Sequence, residues 1–411
     1  MTQAEDLVRS TTRALGGTVQ AVRPFRPLPL APASPAEVSH GRGWHRARWL
    51  LPLAAAASVV VIVLASVIVA HHLASPTRPP GATGTMAQPP RPEFYMTATY
   101  SASGPNVLRL QVRRTVGGAV TASTSIPAGN MGWGGYLTAA ASDRAFFIAR
   151  YPCSGTAVVV TTFYRITITG SGRISAIAAV RRVQGLVTDL AVSPDGSQMA
   201  YNALPGGCNG SGFRSPAAGA VSLLDLSTGA VRTWQDTTAQ STVGGLSWTP
   251  DGRTLVVEEF LRGSRQPELT VFGLDTTSSG GSLQAQSTTL LQQQTHRCAT
   301  CVVAALAGPD GGLTVLETQA TENLRTRVLV VSVPAAAGSP RTVLYSGLTD
   351  APPGSVGVFA DSSGQWLLLW PTSSASDQSG QILTFAPGWI SGGRLHPLAG
   401  AAQVFPQGIA W

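Results

Sequence analysis

The four cysteines are the residues whose type and spacing point most directly to chemistry. Cys298 and Cys301 form a Cys-x-x-Cys pair that follows His296, whereas Cys153 and Cys208 lie far apart in earlier stretches of the chain. An even number of cysteines in an oxidising compartment favours disulfide bonds, and four cysteines allow three pairings. We predict Cys153–Cys208 and Cys298–Cys301, because the first two follow corresponding strands in successive repeat units described below.

A metal site is the alternative interpretation of the same residues. His296, Cys298 and Cys301 have the spacing of zinc ligands, but a structural zinc site takes four ligands. The only other histidine after residue 93 is His396, far along the chain. A thioredoxin-like redox pair would need the start of a helix, which this strand-rich sequence does not offer. We therefore predict no metal and no cofactor.

Catalytic residues are not indicated either. A serine hydrolase needs a base, usually histidine, beside its nucleophile, and the chain has no Gly-x-Ser-x-Gly motif. Glu258 and Glu259 are a carboxylate pair, but adjacent residues of a strand point to opposite faces. We expect these two side chains to lie on a solvated outer strand.

The basic residues are all Arg, and their distribution argues against nucleic-acid binding. Residues 93–411 hold 19 Arg against 17 acidic side chains, so this region is nearly neutral although the chain carries +8. Seven Arg lie within residues 1–48, in front of an apolar segment. The excess positive charge is therefore expected to orient the chain in a membrane.

That apolar segment predicts a membrane anchor. Residues 50–70 are 21 consecutive residues without a charged side chain, and a helix of this length crosses a hydrocarbon core of about 30 Å. A buried core helix is the weaker alternative because the run is apolar on all sides, and a cleaved signal peptide is usually shorter and nearer the start. We predict one span within residues 49–71, with the N-terminus cytoplasmic and the C-terminus outside the cell membrane.

The segments on either side of the span differ in character. Residues 1–48 predict a cytoplasmic tail, with a short amphipathic helix over 3–15 followed by a Pro-rich stretch without regular structure. Residues 72–92 are also Pro-rich and predict an extended linker. The expected partners are membrane lipid for residues 50–70, an extracytoplasmic protein or ligand for the region beyond the linker, and a cytoplasmic partner for the tail.

A turn signature recurs along residues 93–411 at steps of about 50 to 60 residues. Clear copies are Ser193-Pro194-Asp195-Gly196, Thr249-Pro250-Asp251-Gly252 and Gly308-Pro309-Asp310-Gly311, with worn copies around Asp143 and Asp361. Pro presets φ at the second position, Asp bonds back to the backbone, and Gly accepts a positive φ. Each copy joins two strand-like runs and is followed by a second hairpin, so each unit has four strands. Four-stranded units at this period indicate the blades of a β-propeller.

The Pro-Asp-Gly turns between a first and a second strand resemble those of WD-type and TolB-type propeller repeats. The resemblance covers residues 93–411 and implies the fold; it carries no binding residues, because the His and Trp-Asp landmarks of WD repeats are absent. The order of Arg-rich tail, span and propeller also resembles single-pass membrane proteins of actinobacteria. We predict an all-β, six-bladed propeller over residues 93–411, closed by pairing of Gly408–Trp411 with the first blade. A two-sheet sandwich is the alternative.

Aromatic residues are the remaining candidates for a binding site. Trp133 and Tyr136 lie in a Gly-rich stretch between the first two blades, and Trp389 lies in a predicted Gly-rich turn. Loops that join blades lie on one rim of a propeller, so we predict these three residues as a possible ligand rim. Packing between blades is the alternative interpretation of Trp133 and Tyr136.

Together these patterns predict a membrane-anchored extracytoplasmic module that binds or senses a ligand without enzyme activity. One alternative is a transmembrane signalling protein similar in layout to anti-sigma factors, although the tail has no cysteine for their zinc motif. The other is a propeller hydrolase or lyase that acts on cell-envelope polymers. Three or more carboxyl groups converging at the centre of the propeller would favour the enzyme.

The disulfide pairing is testable by non-reducing peptide mapping of the exported protein. We expect a peptide that links Cys153 with Cys208, and closing a loop of about 55 residues should stabilise the fold by roughly 2–4 kcal/mol. A peptide that links Cys153 with Cys298 would contradict this pairing.

Overall fold

The computed structural model describes most of the chain after residue 90. The described ranges are 91–100, 107–127, 136–140, 142–151, 159–204, 219–237, 241–261, 268–294, 300–321, 325–336, 338–349, 356–361, 363–371, 387–401 and 408–411. The predicted tail, the predicted span and nearly all of the predicted linker lie outside these ranges. Within them, no helix is long and apolar enough to cross a membrane.

The described residues form six sheets, one for each blade, whose four main strands are antiparallel and in meander order from the inner strand outwards. The sheet of blade 3 has a fifth strand, which is described below. Blade 1 holds β25 (Ile409–Ala410), β1 (Phe94–Tyr100), β2 (Val107–Arg114) and β3 (Val120–Pro127). Blade 2 holds β4 (Tyr136–Ala139), β5 (Ala145–Arg150), β6 (Val160–Ile168) and β7 (Ile174–Gln184). Blade 3 holds β8 (Leu186–Val192), β9 (Gln198–Leu204), β10 (Ala220–Asp225) and β11 (Val231–Gln235).

The remaining three blades repeat this order. Blade 4 holds β12 (Ser241–Trp248), β13 (Thr254–Leu261), β14 (Glu268–Asp275) and β16 (Ser287–Gln294). Blade 5 holds β17 (Cys301–Ala307), β18 (Leu313–Ala320), β19 (Thr326–Val333) and β20 (Thr342–Thr349). Blade 6 holds β21 (Val356–Ala360), β22 (Leu367–Pro371), β23 (Gly388–Ser391) and β24 (Arg394–Pro397).

The core consists of apolar layers between successive blades. A separate cluster of buried side chains lies at each of the six blade-to-blade boundaries, including the boundary between blade 6 and blade 1. Each sheet is therefore covered on both faces by its neighbours, which explains the long apolar runs in the strands. The chain forms a six-bladed β-propeller, so the prediction of the fold is confirmed and the sandwich is excluded.

The recurring turns have the conformation that their sequence predicts. Gly196 and Gly252 have φ values of +72° and +68°, a left-handed region that glycine adopts without strain. The Asp195 carboxylate accepts hydrogen bonds from the Ser193 hydroxyl at 2.6 Å and from the Ser197 amide at 3.0 Å. The turn at Asp251 repeats this arrangement. These acids are structural residues that hold the turn between the inner and the second strand.

The ring is closed by the predicted contact between the two ends of the propeller. Ile409 and Ala410 pair with Thr97 and Met96 of β1, which makes β25 the inner strand of blade 1. Ile409 and Trp411 pack into the layer shared with blade 6, and Ala410 packs into the layer shared with blade 2. This alternation is the period of two expected for a strand.

Blade 3 carries an additional strand that is donated by blade 4. The strand β15 (Gly281–Ser282) pairs in parallel with Trp234 and Gln235 at the outer edge of blade 3. The buried Trp234 indole donates hydrogen bonds to Ser278 Oγ at 3.0 Å and to Gln286 Oε1 at 2.9 Å. The segment therefore covers an edge that would otherwise be open to pairing with another chain.

This donated strand corrects one detail of the predicted blade 4. The sequence LTVFGLDTTSSGGSLQAQ (269–286) has the form of a hairpin. In the structure β14 pairs with β16 (Ser287–Gln294), and residues 276–286 cross to blade 3. The Trp234 indole and the fully buried Leu283 provide the contacts that hold this segment there.

Candidate functional site in the central channel

The inner strands of all six blades line one cavity of about 360 Å³ on the propeller axis. Its wall is mostly apolar and contains a small number of polar side chains, among them those of Asp189 and Glu258. This size and composition are typical of sites that bind small molecules.

The Asp189 carboxylate reaches across to the next blade. The register of β8 shifts between Val187 and Asp189, and the register of β12 shifts between Gly244 and Ser247. Such bulges leave backbone N–H groups outside the sheet ladder. Asp189 accepts hydrogen bonds from the Leu246 amide of blade 4 at 2.8 Å and from its own neighbour Leu190 at 2.7 Å.

Glu258 makes the equivalent contact one blade further on. It lies on β13, and its Oε1 accepts a hydrogen bond from the Ala305 amide on the inner strand of blade 5. Gly245 leaves room for this side chain, because a Cβ at Gly245 would collide with the Glu258 carboxyl group. The two carboxyl groups thus join blades 3, 4 and 5 around the cavity. The expectation that Glu258 and Glu259 lie on a solvated strand was wrong, since both are 4% exposed; β13 is covered on both faces by the neighbouring blades.

Burial controls the protonation of this site. Burial raises the pKa of Glu258 to about 8, with a further rise from the Asp189 charge and an opposing effect of the Ala305 amide. Burial also raises the pKa of Asp189 against the opposing effect of three backbone amides. Burial and the Asp189 charge raise the pKa of the Tyr136 hydroxyl. Glu258 is therefore a protonated acid at neutral pH.

The raised pKa of Glu258 predicts that the protein loses stability as the pH rises. Between the unfolded value near 4.5 and the folded value of about 8, the folded state holds a proton that the unfolded state has lost. Stability should fall by up to about 1.4 kcal/mol per pH unit across this window. Urea unfolding at pH 5 to 8 should show this slope in the wild type and a shallower one in Glu258→Gln. Glu268→Gln, at a surface position, is the control and should keep the wild-type dependence of stability on pH. If Glu258→Gln shows the same dependence as the wild type, the raised pKa of Glu258 is contradicted.

A third carboxyl group lines the cavity but belongs to a turn. Asp361 follows the inner strand β21 and accepts hydrogen bonds from Ser363 Oγ at 2.8 Å and from the Trp366 amide at 3.0 Å. Burial raises its pKa despite these bonds. Among the residues that the structure describes, no group of three or more His, Cys, Asp or Glu side chains could hold a metal ion.

The aromatic residues predicted as a ligand rim are not brought together by the described structure. Tyr136 begins β4 and lines the cavity. Trp389 lies on β23 instead of in a turn; its ring stacks on His396 with centroids 4.2 Å apart, and the Arg91 guanidinium lies 4.9 Å from its centroid. It is held in an aromatic cluster at the boundary of blades 6 and 1, away from the cavity wall. Trp133 lies outside the described residues.

The cysteines can be followed only at one position. Cys301 begins β17 and is disulfide-bonded. Cys153, Cys208 and Cys298 lie outside the described residues, so the pairing stays a prediction.

Asp189 was not among the site residues predicted from the sequence, and Glu258 was predicted to lie on a solvated strand. A signal for both was present, since each is an acid within an otherwise apolar strand, LVTDLAV and TLVVEEFL. A carboxyl group in a strand that is covered on both faces has to find a partner in the neighbouring blade or face the axis.

Comparisons with known proteins assign no family to this chain. No family model matches the chain, and no curated protein matches its sequence. Among solved structures, the chain is similar to the β-propeller domain of the trilobed protease from Pyrococcus furiosus, with 12% identity, a TM-score of 0.36, and coverage of 66% of this chain and 74% of that one. It is also similar to prolyl oligopeptidase B from Galerina marginata, with 12% identity, a TM-score of 0.37 and coverage of 67% and 47%.

An oligogalacturonate lyase from Vibrio parahaemolyticus is a third similar structure, with 8% identity, a TM-score of 0.35, and coverage of 71% of this chain and 93% of that one. The chain spans less than half of the length of the oligopeptidase. At these identities and TM-scores, the likeness assigns neither a family nor an activity to this chain.

Proposed function

We propose that this chain is a membrane-anchored, extracytoplasmic binding module whose propeller takes a small ligand in its central cavity. The observation that carries the proposal is the cavity itself, which is lined by all six blades and has the buried Glu258 and the partly buried Asp189 in a mostly apolar wall. Apolar walls supply affinity, and a few placed polar groups supply orientation. The expected anchor is the apolar run 50–70, with a Pro-rich linker between it and the propeller.

A variant that fills the cavity tests the binding site. Thr138 lines the cavity on β4 and is partly exposed, so Thr138→Trp should occupy part of the space that a ligand needs. Val343→Trp places the same side chain on β20, where Val343 is 57% exposed, and serves as the matched control. A panel of cationic, neutral and anionic small molecules would be tested on the full chain in detergent by thermal shift. Stabilisation that is lost in Thr138→Trp and kept in Val343→Trp is expected; equal responses in both variants would refute a cavity site.

The membrane orientation has its own test. Protease added to intact cells without their wall should cut the linker and release the propeller, because Arg clusters before the apolar run. Cleavage within residues 1–40 while the propeller stays protected would reverse the proposed orientation.

The second candidate is an acid–base enzyme, a hydrolase or lyase that acts on cell-envelope polymers. The observation in its favour is that three acids, Asp189, Glu258 and Asp361, line one cavity, which is the number expected to favour an enzyme. Of these, Glu258 has a pKa of about 8 and can donate a proton at neutral pH. Turnover of purified cell-wall or extracellular polysaccharide by the full chain, lost in both Asp189→Asn and Glu258→Gln, would establish this function. Binding without turnover in the wild type would leave the binding module as the better account.

A further inference from the structure

The titratable side chains of the cavity wall include three carboxyl groups. Asp189, Glu258 and Asp361 line the cavity, and no Arg or His side chain occurs among the described residues that line it. Asp361 is engaged by the hydrogen bonds of its own turn, which leaves two carboxyl groups facing the space without a basic side chain beside them. An isolated buried carboxylate is unfavourable unless a cation or hydrogen-bond donors accompany it.

Two groups in the wall also have capacity for further hydrogen bonds. Glu258 is 4% exposed, and its Oε1 is bonded to the Ala305 amide. Its Oε2 accepts no hydrogen bond from any residue that the structure describes. Next to Asp189, the buried Thr188 hydroxyl has no partner within the described part of the chain. Both groups line the cavity, so a ligand with several N–H donors would satisfy them.

The aromatic part of the wall suits the same ligand. Tyr136, Trp248 and Phe359 are among the residues that line the cavity, and Phe359 is 36% exposed. Aromatic faces attract cations as well as apolar groups. Resting on the proposed function, we infer that the cavity binds a small organic cation whose primary ammonium group is held by Glu258 with Asp189 and Thr188.

Binding of an ammonium ion at Glu258 should release a proton. The empty cavity holds Glu258 as a carboxylic acid near neutral pH, and an ammonium ion requires the carboxylate. The Glu258 O–H bond therefore breaks on binding, and one proton leaves to solvent for each ammonium bound. The groups that face Glu258 are Asp189 on β8, which disfavours its ionisation, and the Ala305 amide on β17, which favours it. Gly245 on the adjacent inner strand contributes no charge.

Isothermal titration of the full chain with n-butylammonium chloride tests this assignment, with 1-butanol and sodium butyrate as probes of equal chain length. At pH 6.5, butylammonium should bind at least tenfold more tightly than either analogue. Titration in two buffers of different ionisation enthalpy should show release of close to one proton per ligand, declining towards zero above pH 9. Glu258→Gln should lose at least tenfold in affinity and abolish the proton release. The control Glu268→Gln lies outside the cavity and should change neither.

The outcomes separate this inference from the proposed function. Butanol or butyrate binding as tightly as butylammonium, in a manner blocked by Thr138→Trp, would overturn the cation while keeping the cavity as the site. Butylammonium binding that survives Thr138→Trp would overturn both. If Glu258→Gln has a lowered melting temperature, the Asp189→Asn variant is titrated with butylammonium in its place. Asp189→Asn is then expected to bind butylammonium more weakly than the wild type.

Discussion

A chain that ends at Gln407 is expected to be unfolded, aggregated or sensitive to protease. The deleted residues include all of β25, and Ile409, Ala410 and Trp411 are each no more than 6% exposed. Truncating a buried Ile or Trp to Ala typically costs about 2–5 kcal/mol, and a whole domain is stable by roughly 5–15 kcal/mol. Thermal melting and limited proteolysis of the full and the shortened chain in the same detergent would measure the loss.

Single substitutions refine this first prediction. Trp411→Ala should destabilise by about 3–5 kcal/mol, whereas Val343→Ala, at an exposed position of β20, should change stability by less than about 0.5 kcal/mol. An unchanged melting temperature for the shortened chain would show that the ring does not depend on β25.

Trp234→Ala is expected to cause the second largest loss, about 3–5 kcal/mol. The indole is fully buried, fills the layer between blades 3 and 4, and donates two hydrogen bonds to the segment that carries β15. Its removal leaves a cavity and frees the outer edge of blade 3. Denaturant unfolding would give the stability change, and hydrogen exchange at Gly281 and Ser282 would report the release of the donated strand.

Trp234→Phe separates the contribution of the buried ring from that of the indole hydrogen bonds. It retains most of the buried ring and removes the donor, so its loss should be about 1–3 kcal/mol, with faster exchange at β15. Normal protection of Gly281 and Ser282 in both variants would mean that the parallel pairing does not depend on the indole.

The sequence predicted the parts of the fold that repeat. The Pro-Asp-Gly turns recur because the turn after the inner strand in blades 3, 4 and 5 uses a left-handed glycine, and Gly196, Gly252 and Gly311 have that conformation. The closure was predictable for a related reason, since one strand was missing from the first blade and one unpaired run remained near Trp411. A repeat with a fixed number of strands allows such counting.

The parts of the fold that do not repeat could not be predicted from the sequence. The strand β15 is two residues long and pairs in parallel across blades, so it has neither a period nor a turn of its own. The burial of Glu258 depends on a bulge in β17 that directs the Ala305 amide towards blade 4, and no local pattern encodes this. Trp389 was expected in a turn because glycines flank its strand, but its position is set by stacking on His396.

The pairing of β25 with β1 also constrains the order of folding. Met96 and Ala410 are neighbours in one sheet although almost the whole propeller separates them along the chain. Contacts this distant in sequence carry a large loop-closure entropy, so they form slowly unless the intervening chain is already compact. Blades 2 to 6 are built from local hairpins and can form first. The free edge of β1 then stays open until the ring is complete, and we expect aggregation during refolding to proceed through this edge.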